Sequence, residues 1–190
     1  MSIEQTAERQ AVLALRQEFD RSFAQAPRLE REPLEGLLAI RLGGDPYALR
    51  VSEIGGIHTD RRIMPLPSPA PELLGVAGLR GQIAPVYDLA ALLGYARASA
   101  PRWLILLRSA PQQPCMALAF DTFERHFSVS VRHIVSGSGA RAASTGAAQA
   151  HLTDVVSTDE VVRPIIALQS LYQEVQARSD GIIQKRSVSP

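Results

Sequence analysis

Residues 75–89, Gly-Val-Ala-Gly-Leu-Arg-Gly-Gln-Ile-Ala-Pro-Val-Tyr-Asp-Leu, indicate the fold more clearly than any other stretch of this sequence. The apolar run Gly75–Leu79 predicts one strand, and Ile83–Val86 predicts a second strand that returns beside it. Between them Arg80-Gly81 predicts a tight turn, because glycine adopts backbone conformations that other residues avoid. The stretch therefore predicts a β-hairpin that holds an arginine at its tip.

The environment of Arg80 favours recognition over catalysis. Its neighbours are apolar and supply no proton-transfer group. A guanidinium fixed on a turn could form a fork-shaped pair with a carboxylate of a partner. An ordinary surface arginine, ion-paired or lying over apolar neighbours, fits the sequence equally well.

The composition is that of a modest globular protein. The chain has 190 residues, of which 46% are hydrophobic, 21% charged and only 5% aromatic, so an aliphatic core is expected. The net charge of +1 argues against a broad basic field, and the low aromatic content against stacking of bases. We therefore expect no nucleic-acid partner.

The sequence predicts a cytoplasmic protein. Cys115 is the only cysteine, so a disulfide within the chain is impossible and a reducing compartment is favoured. Residues 1–10 lack the basic and apolar regions of a signal peptide. No window of 18 residues is continuously apolar, so no insertion into a membrane is expected.

An amphipathic helix is predicted at residues 3–25, within an N-terminal segment at residues 1–30. Its apolar side chains recur at helical spacing on one face and are Val12, Leu15, Phe19 and Phe23. This face should pack either on the rest of the chain or on a partner.

The remaining pattern is that of short strands. Strands are predicted at 34–42, 47–54, 103–108, 115–120, 123–135 and 161–168, besides the hairpin. Asp45-Pro46 predicts a turn, and the proline-rich residues 55–72 predict an extended loop. The Ser/Gly/Ala-rich residues 136–150 predict a flexible loop. Many strands with few helices indicate a mainly β fold, a barrel or a sandwich.

Two helices should lie at the periphery of these strands. Asp88 is a favoured residue at a helix start and Gly94 at a helix end, so a short helix is expected between them. A C-terminal helix should turn one apolar face inward. That face consists of Leu168, Leu171, Tyr172 and Val175. Residues 179–190 are predicted to be a flexible tail.

No pattern of catalytic, metal-binding or nucleotide-binding residues stands out. Residues 137–142, Gly-Ser-Gly-Ala-Arg-Ala, match a dinucleotide fingerprint in letters, but no amphipathic helix follows to hold a pyrophosphate. The four histidines lack the spacing of a zinc site. Cys115 has the apolar neighbours of a core residue. The sequence therefore predicts no catalytic residue, no metal and no cofactor.

Several of these segments together resemble the CheW-like domain family. The most specific segment is Leu79–Leu89, Leu-Arg-Gly-Gln-Ile-Ala-Pro-Val-Tyr-Asp-Leu. Weaker segments occur in the expected order over roughly residues 34–175. They are Tyr47–Ile54, Ile63–Pro67, Leu118–Asp121 and Asp159–Leu171.

The resemblance implies a fold and a role. The fold would be two interlocked, five-stranded SH3-like β-barrels within residues 34–178. The role would be that of a non-catalytic adapter that couples the cytoplasmic tips of chemoreceptors to the regulatory domain of a CheA-type histidine kinase. The implied partner-binding residues are Arg80, Glu53, Ile54, Gly75 and Gly81. The alternative function is a small β-barrel module that binds a ligand or a nucleic acid.

Overall fold

The computed structural model describes residues 32–96, 101–108, 113–136, 146–158 and 161–187. The predicted N-terminal helix and residues 137–145 lie outside these ranges. Within them the chain is mainly β, which confirms the predicted fold class. The strands are β1 (Leu34–Leu42), β2 (Asp45–Arg50), β3 (Ile54–Thr59), β4 (Leu73–Leu79), β5 (Gln82–Asp88), β6 (Trp103–Leu107), β7 (Ala117–Phe120), β8 (Thr122–Ser130), β9 (Ile134–Ser136), β10 (Leu152–Ser157) and β11 (Val162–Ile166). The α-helices are α1 (Leu89–Leu92) and α2 (Leu168–Ser187).

One sheet takes strands from both ends of the described chain. Its order is β8-β1-β2-β11-β10-β9, with β2 and β11 parallel. The two edge strands, β8 and β9, are joined by the single 3-10 turn Val131–His133. One segment thus supplies both edges, so the sheet curls into a barrel-like form. The single strand predicted at 123–135 is wrong for this reason, since the chain must turn from one edge to the other.

The second sheet takes its strands from the middle of the chain. Its order is β3-β6-β7-β5-β4. After β3 the chain reaches the opposite edge, where Met64 pairs with Val76 of β4 through hydrogen bonds of 2.8 and 2.9 Å. This pairing draws the two edges together. The loop predicted at 55–72 is therefore wrong in part, because residues up to Thr59 form β3 and Met64 joins the sheet.

The two sheets confirm the barrel-like pair, with one difference in strand number. The first sheet has six strands rather than five, because β9 adds three residues beside β10. The 3-10 turn Val51–Glu53 carries the chain from β2 in the first sheet to β3 in the second. It ends the strand that the sequence predicts as continuous from Tyr47 to Ile54.

Burial explains why β1 is an unbroken apolar run. Leu37 faces the inside of the six-stranded sheet, where it packs with Val156 and Ile165. Leu38 and Ile40 face the larger core, which contains side chains from both sheets and from α2. A strand with protein on both faces needs apolar residues at every position, whereas a half-exposed strand alternates.

Both predicted helices form. The first has an identifiable N-terminal cap, and the second has a buried apolar face. Asp88 accepts a hydrogen bond of 3.2 Å from the Ala91 amide, and α1 ends before Gly94, whose φ is +85°. The predicted apolar face of α2 is buried, with Leu168 fully enclosed. The helix continues past Arg178 to Ser187, so the tail predicted from residue 179 is largely helical.

Two further expectations are corrected by the backbone. The turn between β1 and β2 lies at Gly43-Gly44, both with positive φ, and Asp45 already pairs with Leu42. The loop predicted at 136–150 begins in β9 and ends in a 3-10 helix at Gly146–His151. Strand β10 follows at once and was not predicted.

Candidate partner-binding surface

The Arg80 hairpin has the geometry of a two-residue type I′ turn. Leu79 pairs with Gln82, and the two residues between them have φ values of +50° and +78°. Such turns favour Asn-Gly, because the left-handed conformation costs a residue with a bulky side chain about 1–2 kcal/mol. Because arginine is unfavourable in this conformation, its presence at an exposed tip suggests a functional role rather than a structural one.

The guanidinium of Arg80 folds back over β3. A Cβ atom built on Gly56 would lie 3.2 Å from the Cζ, Nε and Nη2 atoms of Arg80. Within the described part of the chain, Arg80 has no hydrogen bond and no ion pair. Its planar set of donors therefore remains available to a carboxylate that approaches from outside.

The same region carries a second unpaired polar group. The register of β3 against β6 sets Gly56 opposite Leu106 and His58 opposite Leu104, on the inner face of the five-stranded sheet. The Nε2 atom of His58 is buried and has no hydrogen-bond partner in the described ranges. Burial lowers the pKa of His58, and the charges of Arg61 and Arg80 lower it further. Burial and the two nearby cations thus both favour the neutral imidazole.

Exposed apolar side chains occur on the same hairpin and beside its edge strand β4. Ile83, three residues after Arg80, is 75% exposed, and opposite it stands Gly78, which has no side chain to cover it. Met64, which pairs onto the edge strand β4, is 60% exposed. An arginine on a hairpin that also carries uncovered aliphatic side chains is typical of a protein–protein interface.

The two predicted glycines shape this hairpin. Gly75 has a φ of +141°, and a Cβ atom there would lie 2.0 Å from the Met64 carbonyl oxygen. Its missing side chain lets the chain after β3 pair onto β4. Gly81 supplies the second left-handed residue of the turn, and a Cβ atom there would meet no described residue within 4 Å.

The other two predicted site residues do not lie at the exposed tip. The Glu53 carboxylate accepts a hydrogen bond of 2.7 Å from the Leu168 amide, at the start of α2. Ile54 is 6% exposed and belongs to the core between the sheets. The structure therefore gives both a part in the fold, and a contact of either with a partner stays a prediction.

Sequence reasoning missed Gly56, His58 and Arg61. The signal for the first is present, since Gly55-Gly56 interrupts an otherwise strand-like segment, but the prolines that follow favour a loop that includes the pair. No pattern along the chain shows that the Arg80 side chain crosses to that glycine, because the two residues belong to opposite edges of the sheet.

The described residues provide neither a metal cluster nor a membrane-spanning helix. Among the residues that the structure describes, no group of three histidine, cysteine or acidic side chains is placed to hold a metal ion. No helix in those same ranges is long and apolar enough to cross a membrane.

Comparison with known proteins gives a family and a structural neighbour. The family model described as the CheW-like domain matches residues 36–176. The solved structure of the scaffolding protein TtCheW from Thermoanaerobacter tengcongensis superposes with a TM-score of 0.60 at 20% sequence identity, covering 70% of this chain and 89% of that one. None of the curated proteins compared with the chain matches it. The match to the family model spans well over half of the sequence, and the chain therefore belongs to the CheW-like domain family.

Proposed function

We propose that this protein is a non-catalytic adapter of a chemotaxis or chemotaxis-like signalling system. It works in the cytoplasm, where it couples the cytoplasmic tips of chemoreceptors to the regulatory domain of a CheA-type histidine kinase. Membership of the CheW-like domain family supports the adapter role, as does the likeness to a protein named as a scaffold.

The observation that carries the proposal is the state of Arg80. Arg80 is exposed, its guanidinium lacks a partner within the described ranges, and the residue stands on a turn whose conformation disfavours arginine. Stability alone would select asparagine at this position. A side chain that is kept at a cost to the fold is expected to act outside it, and a carboxylate of a protein partner is the chemistry that suits a guanidinium.

Substitution of Arg80 separates binding from stability. Arg80→Asn should raise the free energy of unfolding by roughly 0.5–1 kcal/mol, because asparagine tolerates the left-handed conformation. The same change should weaken binding by about 2 kcal/mol or more, as expected for an arginine at the centre of an interface. Arg80→Ala should weaken binding equally without the gain in stability.

The measurement is a urea melt of each variant, paired with titrations against a CheA-type regulatory domain and a receptor-tip fragment from the same genome. A stable Arg80→Asn variant that binds both partners as the wild type does would contradict the role of Arg80. A wild-type protein that binds neither partner would contradict the adapter function itself.

A further inference from the structure

Gly56 occupies a position where the backbone does not require glycine. It lies inside β3, paired with Leu106, and its φ lies outside the left-handed region. Strand interiors favour β-branched and aromatic residues, and glycine weakens a strand because it has no side chain to pack. The reason for a glycine here must therefore be space.

The space above Gly56 is filled by the Arg80 guanidinium. Three atoms of that group lie 3.2 Å from the place where a Cβ atom would stand. Among the described residues, the three atoms nearest to that point all belong to Arg80. A valine at position 56 would put methyl groups into the volume that the guanidinium occupies.

We propose that Gly56 is a positioning residue of the binding surface. Because it has no side chain, it leaves open the space in which the Arg80 guanidinium lies, ready to receive a carboxylate from a protein partner. This inference rests on the proposed function of Arg80. Gly56 itself acts through the arginine, by limiting where the guanidinium can lie.

His58 offers a readout that needs no partner. It follows Gly56 by two residues on the same face of β3, so it reports on charge at this place. The charged groups that act on it are Arg61, from the segment after β3, and Arg80, from the hairpin. Across the sheet it faces the apolar Leu104. When the guanidinium moves away, the pKa of His58 should rise toward its ordinary value.

The experiment is a double-mutant cycle with Gly56→Val, Arg80→Gln and the two changes together, each titrated against the kinase regulatory domain and the receptor-tip fragment. Gly56→Val should weaken binding by about tenfold or more. In the Arg80→Gln background it should cause no further loss, because residues that act through one contact are not additive. Thermal melts should show Gly56→Val to be folded, since valine suits a strand.

A parallel NMR titration follows the His58 imidazole in the same four proteins. Gly56→Val should raise the pKa of His58 in the Arg80 background, and it should not raise it in the Arg80→Gln background. The comparison between backgrounds removes the effect of valine on the burial of His58. If Gly56→Val fails to fold, Gly56→Ala replaces it, with a smaller displacement expected.

The outcomes distinguish the two proposals. Normal binding by Gly56→Val together with lost binding by Arg80→Gln would overturn the positioning role and leave the function of Arg80 intact. Equal weakening by Gly56→Val in both backgrounds would also overturn it. If no variant and no wild-type protein binds, the proposed function fails, and an unchanged His58 titration would then overturn the role of Gly56 independently.

Discussion

Glu53 shows how a single side chain can join distant parts of this chain. It stands in the 3-10 turn between the two sheets, and its carboxylate accepts the Leu168 amide at the start of α2, 2.7 Å away. The first amides of a helix have no partner within the helix, so an acceptor from elsewhere in the chain stabilises it. Burial raises the pKa of Glu53, against the effect of this hydrogen bond.

We expect Glu53→Ala to destabilise the fold. Loss of a helix-capping acceptor costs about 1 kcal/mol, within a range of roughly 0.5–2 kcal/mol. Glu53→Gln keeps an oxygen that can accept the same hydrogen bond and should stay within about 0.5 kcal/mol of the wild type. Urea melts of both variants measure the difference. Equal stability of Glu53→Ala and Glu53→Gln would contradict a capping role.

Single residues differ in how far the sequence predicts them. The position of Arg80 on an exposed turn follows from its neighbours, because Gly81 and the flanking apolar runs define a hairpin locally. Glu53 contacts Leu168, which lies 115 residues further along the chain. Gly56 contacts Arg80, which belongs to the opposite edge of the same sheet. Contacts of this kind arise from tertiary packing, so local patterns do not reveal them.

At the scale of elements, the closure of the five-stranded sheet depends on Gly75. This glycine lies in β4 at a φ of +141°, next to the Met64 carbonyl that pairs with Val76. The close approach closes the five-stranded sheet. Residues 60–72 connect β3 to β4, and Met64 in this connection pairs directly with β4.

Gly75→Ala should be among the more damaging small substitutions in this protein. The backbone conformation alone costs a non-glycine residue about 1–3 kcal/mol. A Cβ atom 2.0 Å from the Met64 oxygen adds a clash with backbone that cannot turn aside. Gly78→Ala in the same strand is the matched control, because its Cβ atom would meet no atom of the described residues within 4 Å. Urea melts showing equal stability for the two variants would contradict this account.

Elements with local signals were predicted well, and elements set by the closure of a sheet were not. The hairpin, the cap of α1 and the apolar face of α2 match the predictions. The breaks at 51–53 and 131–133 are not predicted, because Val51 and Val131 continue the apolar pattern of the preceding strand while the chain changes sheet or edge. Strand β10 was missed because it follows a segment of low complexity.

At the scale of the whole molecule, one sheet depends on contacts between early and late parts of the chain. Arg41 of β1 and Arg163 of β11 both pair with Glu124 of β8, the latter at 2.5 Å. Arg163 is 3% exposed, and its Nε and Nη1 atoms find no hydrogen-bond partner in the described ranges. One carboxylate thus holds a buried cation and ties together three strands that are far apart in sequence.

The ionisation of Glu124 links this contact to pH. Burial opposes the charged form, but the hydrogen bond from Arg41 and the charge of Arg163 outweigh it and hold the pKa of Glu124 below its usual value. A depressed carboxyl pKa contributes stability above the unfolded value of about 4.3. That stability is lost as the pH falls through the lower pKa of the folded state.

Glu124→Gln should therefore lower the free energy of unfolding at neutral pH. It should also reduce the further loss of stability as the pH falls. Removing the partner of a buried charge costs about 3–5 kcal/mol, and we expect the lower end because Glu124 is partly exposed. Arg41→Gln is the control. Since the Arg41 side chain is 43% exposed, its loss should cost no more than about 1 kcal/mol.

Urea melts between neutral pH and pH 3 measure both the loss and the slope. The double variant Glu124→Leu/Arg163→Met should be more stable than Glu124→Gln, because it removes the buried cation together with its partner. If Glu124→Gln cost no more than Arg41→Gln, or kept the acid dependence of the wild type, the buried pair would not be what joins the early and late strands.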